Sequence, residues 1–142
     1  MSEVTLVLDT HVWIWMVEGL RDSLSTKAAE AVERASASGG LSISAISVWE
    51  VAMLESKGRL TLSRPIETWV ADASRAPGLR VAELSTDIAI ASTRLPGEPH
   101  GDPADRMIIA TARAMGAALV TADRDIVRYG AAGHVQIVDA AP

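Results

Sequence analysis

Short apolar runs alternate with helical segments along the chain. Five runs rich in Val, Ile and Leu lie at residues 4–8, 41–45, 79–81, 117–120 and 135–138. Runs of this length and composition are typical of strands that are covered on both faces of a parallel sheet. The sequence therefore predicts an α/β fold, a three-layer α/β/α sandwich with a mostly parallel five-stranded sheet between crossover helices.

Several of the intervening segments carry helix start signals. Ser, or Asp followed by Pro, stands where an N-cap is expected, and good helix formers follow. The predicted caps are Ser25, Ser85 and Asp102, and the helices that they open cover residues 25–35, 87–94 and 105–115, the last ending at Gly116. These helices fill the connections between successive parallel strands.

Length and composition narrow the class of protein. A chain of 142 residues predicts one domain over residues 1–142. The absence of Cys excludes disulfides and thiolate metal sites, and the lack of a secretory signal pattern favours a cytoplasmic location. No apolar run reaches the roughly 18 residues of a membrane span. A net charge of -5 argues against indiscriminate coating of nucleic acid but leaves room for a local binding site.

Two acids follow predicted strands. Asp9 ends the first strand, and Asp123 follows the fourth strand in the stretch ALVTADRD. The carboxyl ends of parallel strands meet at one edge of a sheet, where binding sites of α/β proteins gather. We therefore expect these two carboxylates to lie close together.

Two further acids lie on the apolar faces of predicted helices. Asp105 is followed at helical spacing by Ile108, Ile109 and Ala112, and Glu50 lies between Ile46 and Leu54. An inward carboxylate needs a partner that offsets the loss of solvation. Both side chains are therefore candidates for a shared polar site.

Each acid also has an ordinary structural explanation. Ser47 and Glu50 have the spacing of a capping box, and Asp105 stands at the third position of a helix that Asp102 caps. Asp9 is suited to bonding loop amides at the end of its strand, and Asp123 is suited to capping a helix that contains Ile126 and Val127. The sequence leaves open a catalytically idle α/β protein-binding module whose acids are helix caps.

Convergence of four carboxylates would raise their pKa values unless a cation offset the repulsion. Mg²⁺ prefers oxygen ligands and activates a bound water for attack on a phosphoryl group. The three histidines, His11, His100 and His134, lack the spacing of a zinc site. The combination favours metal-dependent phosphodiester hydrolysis.

Two other enzyme classes with acids at strand ends fit less well. A phospho-receiver domain needs an Asp after the third strand and a Lys after the fifth, whereas Glu83 follows the third strand here and no Lys lies beyond Lys57. A haloacid-type phosphatase needs a second Asp two residues after Asp9, where this chain has His11. Neither class is favoured.

Four ordered motifs resemble those of the PIN-domain ribonucleases, and the VapC-type toxins of bacterial toxin–antitoxin pairs most of all. They are Asp9-Thr10, the helical stretch SVWEVA at residues 47–52, the helix start DPADR at residues 102–106, and Thr121-Ala122-Asp123. The resemblance implies an α/β/α sandwich, a homodimer, an acidic pocket for Mg²⁺ or Mn²⁺, RNA as substrate and a cognate antitoxin protein as partner.

The resemblance places the family's acidic quartet on Asp9, Glu50, Asp105 and Asp123. It implies Asp9 and Asp105 as direct metal ligands, Asp123 as a ligand either directly or through water, and Glu50 as a water-orienting base or an outer ligand. The number of ions, one or two, stays open, and so does the choice between Asp102 and Asp105, with Asp105 favoured for its place on the apolar stripe.

Other side chains near the quartet are candidates for supporting roles. Hydroxyls beside a metal site position carboxylates, and extra acids are outer ligands or caps. Arginines beside the acids bind substrate phosphates or are simply solvated. The candidates are Thr10, Thr121, Asp102 and Asp125 for support and Arg106 and Arg124 for phosphate.

Trp13 and Trp15 are two positions apart, so on a helix they cannot both face the sheet, and one of them is a candidate for partner contact.

Overall fold

Five strands form one sheet in the order β3-β2-β1-β4-β5, and every neighbouring pair is parallel. The computed structural model describes residues 5–99 and 101–142, so Val4 of the first predicted strand and His100 lie outside the described residues. The strands are β1 Leu6–Leu8, β2 Leu41–Ser44, β3 Leu79–Ala82, β4 Ala118–Thr121 and β5 Ile137–Asp139. The predicted five-stranded parallel sheet is confirmed.

Seven α-helices connect these strands within the described part of the chain. They are α1 Thr10–Val17, α2 Thr26–Ala37, α3 Ala45–Ser56, α4 Ile66–Ala73, α5 Thr86–Ser92, α6 Pro103–Met115 and α7 Arg124–Ala131, with a short 3-10 turn at Arg21–Ser23. None of the helices in residues 5–99 and 101–142 combines the length and the apolarity that a bilayer crossing requires.

Alternate side chains of the central strands are buried in two separate hydrophobic cores, one on each face of the sheet. Leu6 and Leu8 of β1 join a cluster that contains Trp13 and Trp69, whereas Val7 between them joins a cluster on the opposite face with α6 and α7. Successive side chains of a strand point to opposite faces of the sheet, so the two clusters lie on its two sides. This arrangement is the predicted α/β/α sandwich.

The helix starts differ from the sequence prediction at α3. The helix begins at Ala45, and Ser44 is its N-cap, with the Ile46 backbone N–H donating to the Ser44 hydroxyl oxygen at 3.2 Å. Glu50 therefore lies in the middle of the helix, and the capping box considered for Ser47 and Glu50 is wrong. Its carboxylate is left without a capping role.

The strand order sets the position of the site. From β1 the chain builds β2 and β3 on one side, then crosses to build β4 and β5 on the other. The reversal lies between β1 and β4, whose carboxyl ends point to the same edge. Crevices at such reversals are where open α/β sheets bind ligands. Asp9 directly follows β1, and Asp123 lies two residues beyond the last residue of β4.

Candidate active site

Asp9 is fixed between the central strands by two hydrogen bonds. The Thr10 backbone N–H donates to Asp9 Oδ1 at 2.9 Å, which makes Asp9 the N-cap of α1. The hydroxyl of Thr121, at the end of β4, donates to Asp9 Oδ2 at 2.6 Å. Asp9 is buried, with 8% of its surface exposed. The carboxylate is therefore held in one orientation at the β1–β4 crevice.

Glu50 is held by a pair of hydroxyls. Thr10 Oγ1 donates to Glu50 Oε1 at 2.5 Å, and Ser47 Oγ lies 2.8 Å from the same Thr10 oxygen. Since Thr10 has one hydroxyl hydrogen, which goes to Glu50, Ser47 is the donor to Thr10. Ser47 is fully buried, and its spacing from Glu50 is the only feature of the sequence that connects the two residues.

The start of α6 presents two acids. The Asp105 backbone N–H donates to Asp102 Oδ1 at 3.0 Å, so Asp102 is the predicted N-cap, with Pro103 as the first helical residue. Asp102 is exposed and Asp105 is half-buried. One carboxylate oxygen from each of them and one from Glu50 lie within 4.8 Å of one another. The two candidate ligands of this helix thus flank the same point.

Asp123 caps α7 with one oxygen. Its Oδ1 accepts hydrogen bonds from the backbone N–H groups of Asp125 at 2.8 Å and Ile126 at 3.3 Å. The backbone N–H of Asp123 donates to Thr121 Oγ1 at 3.0 Å, so Thr121 is bonded both to this loop and to Asp9. The threonine therefore couples the positions of two acids from different strands.

All four acids of the proposed quartet, together with Asp102, line one open cavity of about 490 Å³. We call this cavity the acidic pocket. A larger cavity of about 810 Å³ lies between α6, α7 and β5, but no carboxylate lines it. The chemistry of the side chains identifies the smaller cavity as the candidate site.

Three of the acids have raised pKa values. Burial, followed by repulsion from Asp9 and the other acids, raises the pKa of Asp105 to about 8. Burial raises the pKa of Glu50, and the neighbouring Asp9 and Asp102 add to it. Burial also raises the pKa of Asp9, although the hydrogen bonds from Thr121 and Thr10 oppose the shift. The cluster therefore resists full ionisation without a compensating positive charge.

The donor set fits a hard divalent cation. Carboxylate oxygens from separate elements converge within one pocket, and three of them are close enough to surround a single ion. No Cys exists in the chain, and His11 is the only histidine that lines the pocket within the described residues. Oxygen ligands without sulfur or paired imidazoles suit Mg²⁺ or Mn²⁺ rather than zinc.

The remaining candidates separate into two groups. Thr10 and Thr121 contact the quartet directly, as described above. Asp125 lies outside the acidic pocket and pairs with Arg128, and Arg124 forms a two-pronged ion pair with Asp139, with Nη1 at 3.0 Å from Oδ2. Arg106 does not line the pocket either.

The structure also brings to the pocket wall side chains for which no role in the acidic site was predicted, although Trp15 was a candidate for partner contact. Met53, Leu54 and Arg59 line it, as does the partly exposed ring of Trp15. The helical spacing from Glu50 to Met53 and Leu54 was a usable signal. Arg59 lies beyond the end of α3, where no helical spacing predicts that its side chain reaches the pocket.

Comparison with known proteins finds a family and a relative that match most of the chain. The family model described as "PIN domain" matches residues 6–132. Ribonuclease VapC22 of Mycobacterium tuberculosis (strain ATCC 25618 / H37Rv) is 38% identical over 121 residues, which cover 84% of this chain and 88% of that protein.

Solved structures with a similar fold include chains of two DNA-bound VapBC complexes. VapBC2 from Rickettsia felis, bound to a DNA fragment from its promoter, contains a chain with a TM-score of 0.65 and 14% identity, covering 96% of this chain and 99% of that one. DNA-bound VapBC from Salmonella typhimurium contains a chain with a TM-score of 0.65 and 23% identity, covering 96% of this chain and 98% of that one.

Proposed function

The chain belongs to the PIN-domain family and to its VapC-type branch, and we propose that it is a metal-dependent endoribonuclease acting as the toxin of a toxin–antitoxin pair. The observation that carries the proposal is the convergence of Asp9, Glu50, Asp105 and Asp123 in one pocket. The name of the Mycobacterium tuberculosis relative, a ribonuclease, supports RNA as the substrate class.

Helix capping alone does not account for the pocket. Asp9, Asp102 and Asp123 do cap helices, as a protein-binding module with idle acids would require. Glu50 and Asp105 are not N-caps, yet both are half-buried beside other acids. Since burying carboxylates beside other carboxylates destabilises a fold, their position in the pocket favours a site that uses them.

A divalent cation of the Mg²⁺ type, when bound here, would neutralise the carboxylates, acidify a coordinated water and offset charge that develops on the scissile phosphate. Asp9 and Asp105 would hold it directly, and Asp123 would do so directly or through water. We favour Asp105 over Asp102 because Asp105 is less exposed and is repelled by each of the other acids.

Glu50 is the proposed base. Thr10 donates to its Oε1, which fixes the carboxylate plane and leaves Oε2 to accept a proton from the attacking water. Ser47, in turn, fixes Thr10. The hydroxyl pair thus orients the base in the way that outer partners orient the groups of a metal site.

We further propose that the chain forms a single PIN domain over residues 1–142, acts in the cytoplasm, forms a homodimer and is inhibited by a cognate antitoxin protein. Structural neighbours described as a toxin–antitoxin complex and as a member of the VapBC family of toxin–antitoxin systems support the antitoxin. Size-exclusion chromatography with light scattering, on the chain alone and with the product of the neighbouring gene, tests both associations.

The test of the activity is RNA cleavage by purified protein. Wild-type chain with Mg²⁺ should produce discrete fragments, and mapping of their 5′ ends should locate the cleaved bonds. Asp9→Asn and Glu50→Gln should lose orders of magnitude in rate while circular dichroism stays unchanged. Asp87→Asn, an exposed acid at the start of α5, is the matched control and should cleave normally. Equal cleavage by all four proteins would reject the proposal.

A further inference from the structure

The acidic pocket has a second wall that the proposed hydrolysis does not use. Trp15, Met53, Leu54 and Arg59 line the same cavity as the acids, and we call these four side chains the Trp15 wall. The wall combines an aromatic ring, two flexible apolar side chains and a guanidinium. Such a surface beside a carboxylate cluster needs its own explanation.

Helix geometry makes the wall continuous with the acids. Trp15 stands one helical turn after His11 on α1, and Met53 and Leu54 stand three and four residues after Glu50 on α3. With a rise of about 1.5 Å per residue, Leu54 lies roughly 6 Å along α3 from Glu50. The wall therefore begins about one helical turn from the acids, within reach of a substrate group adjacent to the reacting phosphate.

Core packing explains only part of these positions. Trp13 and Trp69 fill the core, where their rings meet edge to face at 5.0 Å, while Trp15 packs against that core and remains partly exposed. Met53 and Leu54 belong to neither core cluster of the described residues. Trp15 is thus an anchored ring with a surface turned to the pocket.

Arg59 supplies the positive charge of the wall. It is exposed, and its guanidinium makes no ion pair or hydrogen bond with any side chain in residues 5–99 and 101–142. It is the only Lys or Arg among the described residues that line the acidic pocket. An unpaired guanidinium near a site for phosphodiester chemistry suits a second phosphate.

We propose that Trp15 stacks on an unpaired RNA base next to the scissile phosphate and that Arg59 binds the phosphate beyond that base. The inference rests on the proposed ribonuclease activity. In a single RNA strand, the proposed cation site would face the scissile phosphate, the aromatic ring would face the adjacent base, and the guanidinium would face the next phosphate. Because a paired base cannot offer its face, this contact requires that the base beside the cleaved bond be unpaired.

The experiment pairs protein variants with altered RNA. A short RNA that contains a mapped cleavage site is prepared with its natural bases, or with one abasic nucleotide on either side of the cleaved bond. We expect wild-type kcat/KM to fall about 5- to 100-fold on one of the two abasic RNAs, as base–aromatic stacking predicts. Trp15→Ala should show the same loss on natural RNA and no further loss on the abasic one, while Trp15→Phe should recover most of the rate.

Arg59 is tested through affinity and salt dependence. Arg59→Ala should raise KM more than it lowers kcat and reduce the dependence of binding on salt, and Arg59→Lys should restore part of the affinity. Trp49→Ala and Arg80→Ala are matched controls, because both side chains are exposed outside the pocket. Both controls should behave as wild type on every RNA.

Several outcomes would overturn the inference. Trp15→Ala with wild-type kinetics, or with undiminished sensitivity to the abasic position, excludes stacking. Variants that cleave normally but escape inhibition by the partner protein would make the wall a protein-binding surface. If the wild-type protein does not cleave RNA, the proposed function fails. Stacking can still be tested with RNA that carries 2-aminopurine, because wild type should quench its fluorescence and Trp15→Ala should not.

Discussion

Asp105→Asn should stabilise the metal-free protein above neutral pH while abolishing its activity. Burial and the surrounding acids raise the pKa of Asp105 from 3.8 to about 8. Between these values the folded protein binds a proton that the unfolded chain has released, so the free energy of unfolding falls as pH rises through this window. Asparagine does not titrate, and the variant escapes this loss.

The size of the effect follows from the shift. One pKa unit corresponds to about 1.4 kcal/mol, so a fully buried group with this shift would lose more than about 5 kcal/mol by pH 8. Asp105 is only half-buried, and solvent screening reduces the interaction considerably. An acid in the first turn of α6 also gains a few tenths of a kcal/mol from the helix dipole, which the variant gives up. We therefore expect a net stabilisation of about 1–2 kcal/mol at pH 8 and almost none near pH 4.

Urea unfolding in the presence of EDTA, followed by circular dichroism at several values between pH 4 and pH 8.5, measures this difference. Asp87→Asn is the matched control, since it changes an exposed acid in the first turn of another helix, α5, outside the acidic pocket. Adding Mg²⁺ should stabilise wild type more than Asp105→Asn and shrink the gap. A variant that is less stable at every pH, or a gap that does not change with pH, would refute the reasoning.

Two hydroxyl variants test the supports of the site. Thr121→Val removes the hydrogen bond to Asp9 without changing the shape of the side chain. We expect Mg²⁺ affinity, measured by calorimetry, and kcat/KM, measured by RNA cleavage, to fall about 10- to 100-fold. Wild-type Mg²⁺ affinity in this variant would contradict the supporting role of Thr121. Ser47→Ala removes the donor to Thr10, the residue that orients Glu50. We expect kcat to fall about 2- to 10-fold with KM unchanged, and the free energy of unfolding to fall by about 1 kcal/mol. A change in KM alone would contradict the orienting role of Ser47.

The strands were predictable because each is a short apolar run between polar segments, and burial on both sheet faces demands that pattern. Helix α6 was predictable from its cap and stop, Asp102 and Gly116, and the latter has the left-handed φ of 63° expected of such a stop. Helices α1, α3, α4 and α7 had no predicted bounds, and α1 and α4 illustrate the reason. Much of α1 is apolar, so no polar face marks it, and α4 follows Pro65 with no capping side chain. Tertiary packing, rather than a local signal, defines these two helices.

The four acids of the quartet could be predicted from the ends of strands and from apolar helix faces, and the structure brings them into one pocket. Arg124 and Asp125 are adjacent to Asp123 in sequence but turn to Asp139 and Arg128 instead. Sequence adjacency at a helix start does not fix direction, because consecutive residues of a helix point about 100° apart. The hydroxyl pair of Thr10 and Ser47 joins α1 to α3, a contact that no local pattern encodes.

Capping and metal binding are compatible uses of the same acids. Asp9, Asp102 and Asp123 each accept backbone N–H groups at the start of a helix through Oδ1. Each cap fixes a carboxylate in position before any ion arrives, and the positive ends of three helices then face the pocket, which lowers the repulsion among the acids. Asp105 and Glu50 do not cap helices, and the proposed cation would offset their charge. Because the fold itself holds these carboxylates in place, the proposed cation would favour the ionised acids without rearranging the fold.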